Sequence, residues 1–333
     1  MKQISNKLTS GKNTRNIRSR RGKSFGFQIL GFGSGGLPLL PGSVMVVSTD
    51  SNNQFMLVES LGSFATFGDL VSGPAVDEDE GAGAANFTRG VFASGSSAGN
   101  GAGLGYINIR TQGSAKFFGA VVSRQGGGSG SDTGGNGSAG SCTSTTRFAW
   151  AGQTNSASFP PGSWNSNIDY IDYASLGTAQ NFGQLTPYGR IVGGAGSSTR
   201  GIYWGRFGNV HGPARNDIDF ITIASTGNSS SFGDSQNSRG GGAFSSTTRC
   251  VGNQQTSSGY VTIASTGNAQ TFSSLRSTES RQSGSSQTIG IIRDGNSDMQ
   301  KATIATTGSM TTFGSGGQSD GGNMACNVSG GNT

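Results

Sequence analysis

Histidine and cysteine are scarce in this sequence, and their scarcity limits the chemistry that it can perform. His211 is the only histidine, which excludes a multi-histidine metal centre and makes any Ser-His-Asp or Cys-His catalysis depend on that one residue. Cys142, Cys250 and Cys326 are widely spaced and form no C-x-x-C pair, so they support neither a disulfide framework nor a zinc site. We interpret them as small buried hydrophobic residues, and we expect neither a cofactor nor enzymatic activity.

Apolar and charged side chains are also few. Hydrophobic residues make up 32% of the 333 residues and charged residues 12%, and no segment approaches the roughly 20 apolar residues that span a bilayer. We therefore expect no membrane insertion, and the glycine-broken run that follows residue 23 does not have the form of a secretion signal. The 60 glycines and 19 phenylalanines suit a repeat protein, whose core consists of many thin layers.

Positive charge is concentrated at the N-terminus. Residues 1–23 contain eight basic residues and no acidic one, whereas the remaining 310 residues carry 15 basic and 17 acidic groups. The eight basic residues are Lys2, Lys7, Lys12, Arg15, Arg18, Arg20, Arg21 and Lys23. Such a tail is typical of an arm that binds an acidic surface or nucleic acid, and a solvated leader has the same composition. The arm lacks the interleaved aromatic residues that would favour nucleic acid.

Six copies of one pattern run through the rest of the chain. Each copy has a short alternating segment, then a glycine, then a phenylalanine five residues after the glycine. The pairs are Gly62/Phe67, Gly113/Phe118, Gly177/Phe182, Gly227/Phe232, Gly267/Phe272 and Gly308/Phe313. Glycine follows the phenylalanine in every copy except the fifth, where Ser273 follows it. Successive glycines of the pairs lie 51, 64, 50, 40 and 41 residues apart, so the shortest periods define the unit and the longer ones contain insertions.

Each copy begins with the pattern of a β-strand. In the fifth copy Val261 and Ile263 fall on one face, and Tyr260 and Thr262 fall on the other. The glycine predicts a turn, where a positive φ has no steric cost, and the phenylalanine is placed to fill the space between adjacent units.

A Thr-Arg pair opens a further strand in four copies. These pairs are Thr88-Arg89, Thr146-Arg147, Thr199-Arg200 and Thr248-Arg249. In the fifth copy the equivalent pair is Thr288-Ile289, so the arginine is missing there. The four arginines could line one face and bind an anion, or they could pair with backbone carbonyls as struts between blades. Repetition at equivalent positions favours the strut.

The size of the unit indicates the architecture. About 40–50 residues with three or four short strands is the size of a propeller blade. We predict an all-β fold, a six-bladed β-propeller over residues 41–333 with an extended basic N-terminal arm over residues 1–40. The repeat units are 54–103, 104–167, 168–217, 218–258, 259–299 and 300–333. Because the last unit is incomplete at Thr333, we expect a strand at 43–48 to complete it and close the ring, which removes exposed sheet edges.

Insertions and one acidic run provide the candidate binding sites. Residues 119–143 contain a Gly/Ser tract that predicts a flexible loop. Segments 152–167 and 204–216 place aromatic and basic residues in predicted loops, either as a binding surface or as local packing under a long loop. The possible binding residues are Trp164, Trp204, Arg206, Phe207 and His211. We interpret the acidic run from Asp77 to Glu80 as a solvated loop rather than a Ca²⁺ site.

Two of the units resemble repeats in structural proteins of tailed bacteriophages, especially those that infect marine bacteria. The units are FITIASTGNSSSFGD, from Phe220, and YVTIASTGNAQTFSS, from Tyr260. The phage repeats read Y-I-T-I-A-S-T-G-N-A-x-D-F-G-D-L, followed by an Arg-rich and a Gly-rich strand. The resemblance covers roughly residues 54–314. This sequence departs from the pattern through the long insertion in the second unit and through Ser273 and Ile289 in the fifth.

The resemblance implies a kelch-like propeller in a virion or tail-fibre component that is assembled in the host cytoplasm. The arm would anchor the chain in neighbouring tail or capsid subunits, and the propeller would serve assembly or attachment to a host glycan or protein. We expect a symmetric oligomer on the particle. A capsid decoration protein, a free carbohydrate-binding module and an enzyme on a propeller scaffold remain as alternatives, because propellers host many functions.

Overall fold

The description that follows rests on a computed structural model. It describes residues 44–48, 53–58, 64–69, 82–93, 103–120, 140–151, 167–186, 193–206, 215–236, 241–254, 257–274, 283–293, 298–315 and 325–327. All of them belong to the unit that runs from Leu40 to Thr333. The predicted basic arm over residues 1–40 lies outside the described residues.

Every regular element of the described residues is a β-strand. In chain order the strands are β1 (Val44–Ser48), β2 (Asn53–Leu57), β3 (Ala65–Gly68), β4 (Ala82–Ala85), β5 (Arg89–Ala93), β6 (Gly103–Asn108), β7 (Lys116–Ala120), β8 (Gly140–Thr143), β9 (Arg147–Ala151), β10 (Asn167–Asp172), β11 (Gln180–Gln184), β12 (Gly193–Gly196), β13 (Arg200–Arg206), β14 (Arg215–Thr222), β15 (Ser230–Asp234), β16 (Ala243–Ser245), β17 (Arg249–Gln254), β18 (Ser257–Thr262), β19 (Gln270–Ser274), β20 (Ser283–Ser285), β21 (Ile289–Arg293), β22 (Asp298–Thr303), β23 (Thr311–Ser315) and β24 (Ala325–Asn327). Within this part of the chain, no helix is long and apolar enough to cross a membrane.

The strands form six antiparallel sheets of four strands each, which we call blades 1 to 6. Blades 1 to 5 are β4–β7, β8–β11, β12–β15, β16–β19 and β20–β23, each in sequence order, and blade 6 has the order β24-β1-β2-β3. The first strand of each blade contacts the first strands of its two neighbours, in the closed cycle β4, β8, β12, β16, β20, β24 and back to β4. The fold is therefore a six-bladed β-propeller, as the repeat predicts.

Blade 6 closes the ring with strands from distant parts of the sequence. Strand β24 pairs with β1 through Met45 with Asn327, Val46 with Cys326 and Val47 with Ala325. Each repeat unit of the sequence therefore supplies the outer two strands of one blade and the inner two strands of the next.

The hydrophobic core lies between successive blades, because each sheet packs one face against its neighbour. The phenylalanine of every Gly/Phe pair is only 3% exposed. Phe118 of blade 1, for example, shares a buried cluster with Phe148, Ile171 and Tyr173 of blade 2. The phenylalanines thus occupy the spaces between units.

Small residues build the inner strands, and serine hydroxyls join them around the axis. Ser141 Oγ donates to the carbonyl of Gly83 at 2.9 Å, and Ser245 Oγ donates to that of Gly196 at 2.6 Å. Ser285 Oγ donates to the carbonyl of Ser245 at 2.9 Å. A side chain at Gly194 would clash, since its Cβ would lie 2.4 Å from the backbone nitrogen of Ser141. The described inner strands are therefore closely packed against one another.

Candidate binding faces of the propeller

The Gly/Phe pairs join neighbouring blades through the backbone. The amide of Gly177, in the turn before β11, donates to the carbonyl of Phe118 in blade 1 at 3.1 Å, and Ala179 donates to Ala120 at 2.7 Å. Equivalent bonds join Gly113 to Phe67, Gly227 to Phe182, Gly267 to Phe232 and Gly308 to Phe272. Gly177 has a φ of 156°, which side chains rarely adopt, so the turn needs glycine there.

The glycine after each phenylalanine permits these blades to approach. A Cβ at Gly119 would lie 1.8 Å from the carbonyl oxygen of Gly177, and one at Gly183 would lie 2.1 Å from that of Gly227. Ser273 stands at this position in blade 4, where the bond from Gly308 to Phe272 is 3.2 Å long. The repeated glycine is thus explained by backbone contact between blades.

The four repeated arginines also reach from one blade to the next. Arg89 Nη1 donates to the carbonyl of Tyr173, Arg147 to Ala224 at 2.9 Å, Arg200 to Ile263 at 2.7 Å, and Arg249 to Ile304 at 2.9 Å. Each acceptor lies just after the third strand of the following blade. The geometry is that of struts between blades, and the guanidinium groups are half-buried rather than free at the surface.

Each arginine also lies over an aromatic ring of its own blade. The distance from Cζ to the ring centroid is 5.2 Å for Arg89 and Tyr106, and 4.5 Å for Arg200 and Phe220. The same ring meets the phenylalanine of the Gly/Phe pair edge to face, as Phe220 does with Phe232 at 5.9 Å. Arginine, aromatic ring and phenylalanine thus form a layer across three strands.

Replacing Arg200 with methionine should lower the free energy of unfolding by about 1–3 kcal/mol. The change removes a charge-assisted hydrogen bond to the next blade and the contact with Phe220, while it keeps an unbranched apolar stem. Urea denaturation followed by circular dichroism measures the effect. Lys301→Met is the matched control, because the Lys301 ammonium also lies over a ring, 5.3 Å from the Phe313 centroid, but no described hydrogen bond joins it to another blade. Equal losses in the two variants would contradict a role for the strut bond.

Blades 5 and 6 depart from this arrangement. Ile289 and Val44 occupy the places of the arginine at the start of the second strand, and Lys301 replaces the aromatic residue of blade 5. Apolar contacts substitute for the struts there, since Val44 packs with Phe67, Phe92 and Ile107 between blades 6 and 1. The ring is therefore less regular on the side where it closes.

One face of the propeller is built from turns of constant length. The connection between the first and second strands has three residues in blades 1 to 5, and the connection between the third and fourth strands has seven residues in all six blades. We call this the turn face. Hydroxyls fix its shorter turns, as when Ser197 Oγ accepts from the amide of Arg200 at 3.2 Å. Strand β1 begins at this face, because Val44 pairs with Leu57 at the end of β2.

The opposite face, which we call the variable face, receives connections of very different length. Those between the second and third strands range from two residues, 255–256, to fifteen, 152–166. Those between blades range from eight to nineteen residues, and the longest is 121–139. The acidic run and residues 121–139 of the predicted Gly/Ser loop fall within these connections, outside the described residues. The prediction of a loop over 119–143 is wrong at both ends, because residues 119–120 belong to β7 and residues 140–143 form β8.

The predicted binding residues do not all belong to the variable face. Trp204 lies in β13 and is fully buried between blades 3 and 4, so its prediction as a loop residue is wrong. It packs on Gly252, where a Cβ would lie 2.0 Å from the indole ring. Arg206 is the last residue of β13, at the variable face, so its prediction as a loop residue is wrong as well. Trp164, Phe207 and His211 lie outside the described residues.

A buried polar cluster between blades 2 and 3 was not predicted. Asp169 and Asp219, on the third strands of these blades, are 0% and 1% exposed, and Cys142 Sγ lies 3.6 Å from the Tyr203 hydroxyl. Burial raises the pKa of the Cys142 thiol to about 12. The pKa of Tyr203 is also raised, mainly by burial and further by the nearby Cys142, Asp169 and Asp219. Burial likewise raises the pKa of Cys250. Both thiols therefore stay protonated near neutral pH and are poor nucleophiles.

Metal-binding side chains do not gather in the described ranges, where no group of three or more histidine, cysteine or acidic residues could hold an ion. The described acids are instead dispersed or paired, as Asp172 is with Arg147 at 3.0 Å.

Comparison with known proteins identifies no family for this chain. No family model matches the chain, and no curated protein matches it. Among solved structures it is similar to the computationally designed Ika8 protein, with 12% sequence identity over 78% of this chain and 71% of the other, and a TM-score of 0.42. The arrangement of the strands defines the class of the protein, which is a six-bladed β-propeller with one constant and one variable face.

Proposed function

We propose that this chain is a structural protein of a tailed-bacteriophage virion, a tail or tail-fibre component that its N-terminal arm anchors in the particle. The propeller would then be displayed for assembly or for contact with the host surface, and it would act by binding rather than by catalysis. One observation carries the proposal: β1, the first strand of the propeller in the chain, begins at the turn face, whereas all variation in loop length lies at the opposite face.

This polarity suits a part that is attached at one side and exposed at the other. The eight basic residues of the arm precede the strand that begins at the turn face, and a basic arm can order on an acidic neighbouring subunit. Binding residues concentrate on loops that a rigid scaffold positions, and here the long connections lie at the variable face. The three longest, 69–81, 121–139 and 152–166, lie in the part of the ring that runs from blade 6 to blade 2.

The resemblance of the repeat to phage structural proteins supports the same proposal. The residues that carry it, such as the Gly227/Phe232 pair, are those that join the blades. The resemblance therefore concerns the construction of the ring, while the loops of the variable face would determine what each ring binds. The fold alone supports no particular activity.

Deletion of residues 1–40 should reduce incorporation of the chain into particles to background, because the anchor is lost while the strands of the ring remain. Incorporation is measured by complementing a particle that lacks the protein and quantifying the chain in purified virions. Deletion of the Gly/Ser connection 121–139 and its replacement by a short linker is the matched control, and this variant should incorporate normally. Incorporation of the arm-deleted chain at the normal level would refute the anchor.

Cryo-electron microscopy of the complemented particles then identifies the location. Density for a ring of six blades on a tail appendage, with the turn face toward the particle, is the expected result. Density on the head would instead identify a capsid decoration protein, and absence from both would leave a free binding module as the correct interpretation.

A further inference from the structure

A groove opens at the turn face of blade 1. Its volume is about 480 Å³, and its lining consists only of polar and basic side chains, a tyrosine ring and backbone. Arg89 and Lys116 supply two positive charges, and Tyr106, Asn108 and Gln112 lie beside them. The lining residues include no acid. The groove belongs to the face opposite the variable loops, so it is independent of the binding proposed for them.

Blade 1 lacks the acid that pairs with the strut arginine in blade 2, and it has a second cation where blades 2 and 4 have glutamine. In blade 2, Asp172 neutralises the strut arginine, because Arg147 Nε donates to its carboxylate at 3.0 Å. Asn108 takes the place of that acid in blade 1, directly opposite Arg89 in the strand register. The residue opposite Arg89 is therefore neutral, and the guanidinium lies at the wall of the groove while it donates to the carbonyl of Tyr173 in the next blade.

The second substitution replaces an amide with an ammonium group. In blades 2 and 4 the tyrosine hydroxyl donates to a glutamine of the fourth strand, Tyr170 to Gln180 at 2.6 Å and Tyr260 to Gln270. Lys116 stands at this position in blade 1 and pairs in register with Tyr106. The exposed ammonium group of Lys116 thus replaces the amide that accepts the tyrosine hydrogen bond in blades 2 and 4.

One acid borders the groove. Asp69, from blade 6, accepts a hydrogen bond from Ser114 Oγ at 3.0 Å and is exposed at the rim. The two cations that line the groove exceed its single charge. The groove therefore favours an anion.

We propose that this groove binds an acidic saccharide, with the carboxylate or sulfate of one sugar unit between Arg89 and Lys116. Charge-assisted hydrogen bonds from a guanidinium and an ammonium suit such an anion. The side-chain hydroxyls and amides around it, those of Thr88, Asn108, Thr111 and Gln112, offer both donors and acceptors to the ring hydroxyls of a sugar. An acidic peptide could pair with Arg89 and Lys116, but it has no row of hydroxyl groups to bond with most of these side-chain hydroxyls and amides.

The test compares four short ligands on the full-length protein by ligand-observed NMR titration. Trigalacturonate provides carboxylates, a sulfated trisaccharide provides sulfates, galactotriose is neutral, and triglutamate matches the charge without the sugar. We expect binding of one or both acidic saccharides, no measurable binding of galactotriose, and weaker binding of triglutamate. Comparison of the two acidic saccharides distinguishes the carboxylate from the sulfate.

Three variants locate the site. Lys116→Gln installs the residue of blades 2 and 4, and Asn108→Asp installs the acid of blade 2, so each should weaken binding about five- to tenfold without unfolding the protein. Lys301→Gln, which removes one charge from blade 5, should leave binding unchanged. Equal affinity in the wild type and both groove variants, or an equal loss with Lys301→Gln, overturns the proposal. Triglutamate that binds more tightly than the saccharides, in a manner sensitive to Lys116, would make the groove a protein contact instead.

Discussion

Replacing Trp204 with alanine should lower the free energy of unfolding by about 3–5 kcal/mol. Trp204 is fully buried between blades 3 and 4, among Ile218, Phe232 and Val261. Its ring lies on Gly252, whose backbone comes so close that no side chain fits between them. Because the interface is shaped around the indole, its removal leaves a cavity that the rigid sheets cannot fill by collapse.

Urea denaturation followed by far-ultraviolet circular dichroism measures this loss. Phe117→Ala is the matched control, since Phe117 is 53% exposed and its truncation should cost less than about 1 kcal/mol. Trp204→Phe should fall between the two, because it keeps most of the contact area and removes an indole N–H that has no described hydrogen-bond partner. A loss in Trp204→Ala no larger than that in Phe117→Ala would show that this interface is loosely packed.

Replacing Gly183 with alanine should destabilise the protein by about 2–4 kcal/mol, although the change adds a single methyl group. The new Cβ would lie 2.1 Å from the carbonyl oxygen of Gly227 and 2.9 Å from the amide of Asn228. Blades 2 and 3 would have to separate at that point. Separation would lengthen the bonds from Gly227 to Phe182 and from Ser229 to Gln184, both 2.8 Å.

The repeat supplies the control for this change. Ser273 occupies the equivalent position in blade 4 and already carries a Cβ, so Ser273→Ala should cost less than about 1 kcal/mol. The two variants are compared by chemical denaturation under the same conditions. A Gly183→Ala variant as stable as the wild type would contradict the explanation that glycine is needed here because the two backbones approach closely.

The sequence predicts the ring well because its main determinants are local and repeated. Alternation places Val261 and Ile263 in the core and Thr262 at the surface, as the structure has them. The regular Gly/Phe spacing and the strand before the first unit predict six blades with closure between distant strands, and β24 and β1 do pair.

Other features are not readable from the sequence, because they depend on contacts between blades. The boundary of a blade falls inside the repeat unit, since the conspicuous Gly/Phe motif joins one blade to the previous one by backbone bonds that no residue type signals. Trp204 resembles a loop residue because glycine and arginine follow it, yet it continues the alternation that begins at Ile202. The blade 1 groove depends on single substitutions, Asn108 and Lys116, whose meaning emerges only when equivalent strands are superposed.

Closure by β24 has a consequence for the order of synthesis. Strands β1, β2 and β3 leave the ribosome before any other strand of the ring, and β24, the inner strand of their sheet, leaves it last. Throughout translation the edge of β1 that will pair with Ala325–Asn327 is available to other chains, and such edges promote aggregation. We therefore expect the three early strands to need protection from such pairing until the final strand is made, and a circular permutant that starts at β24 to need it less.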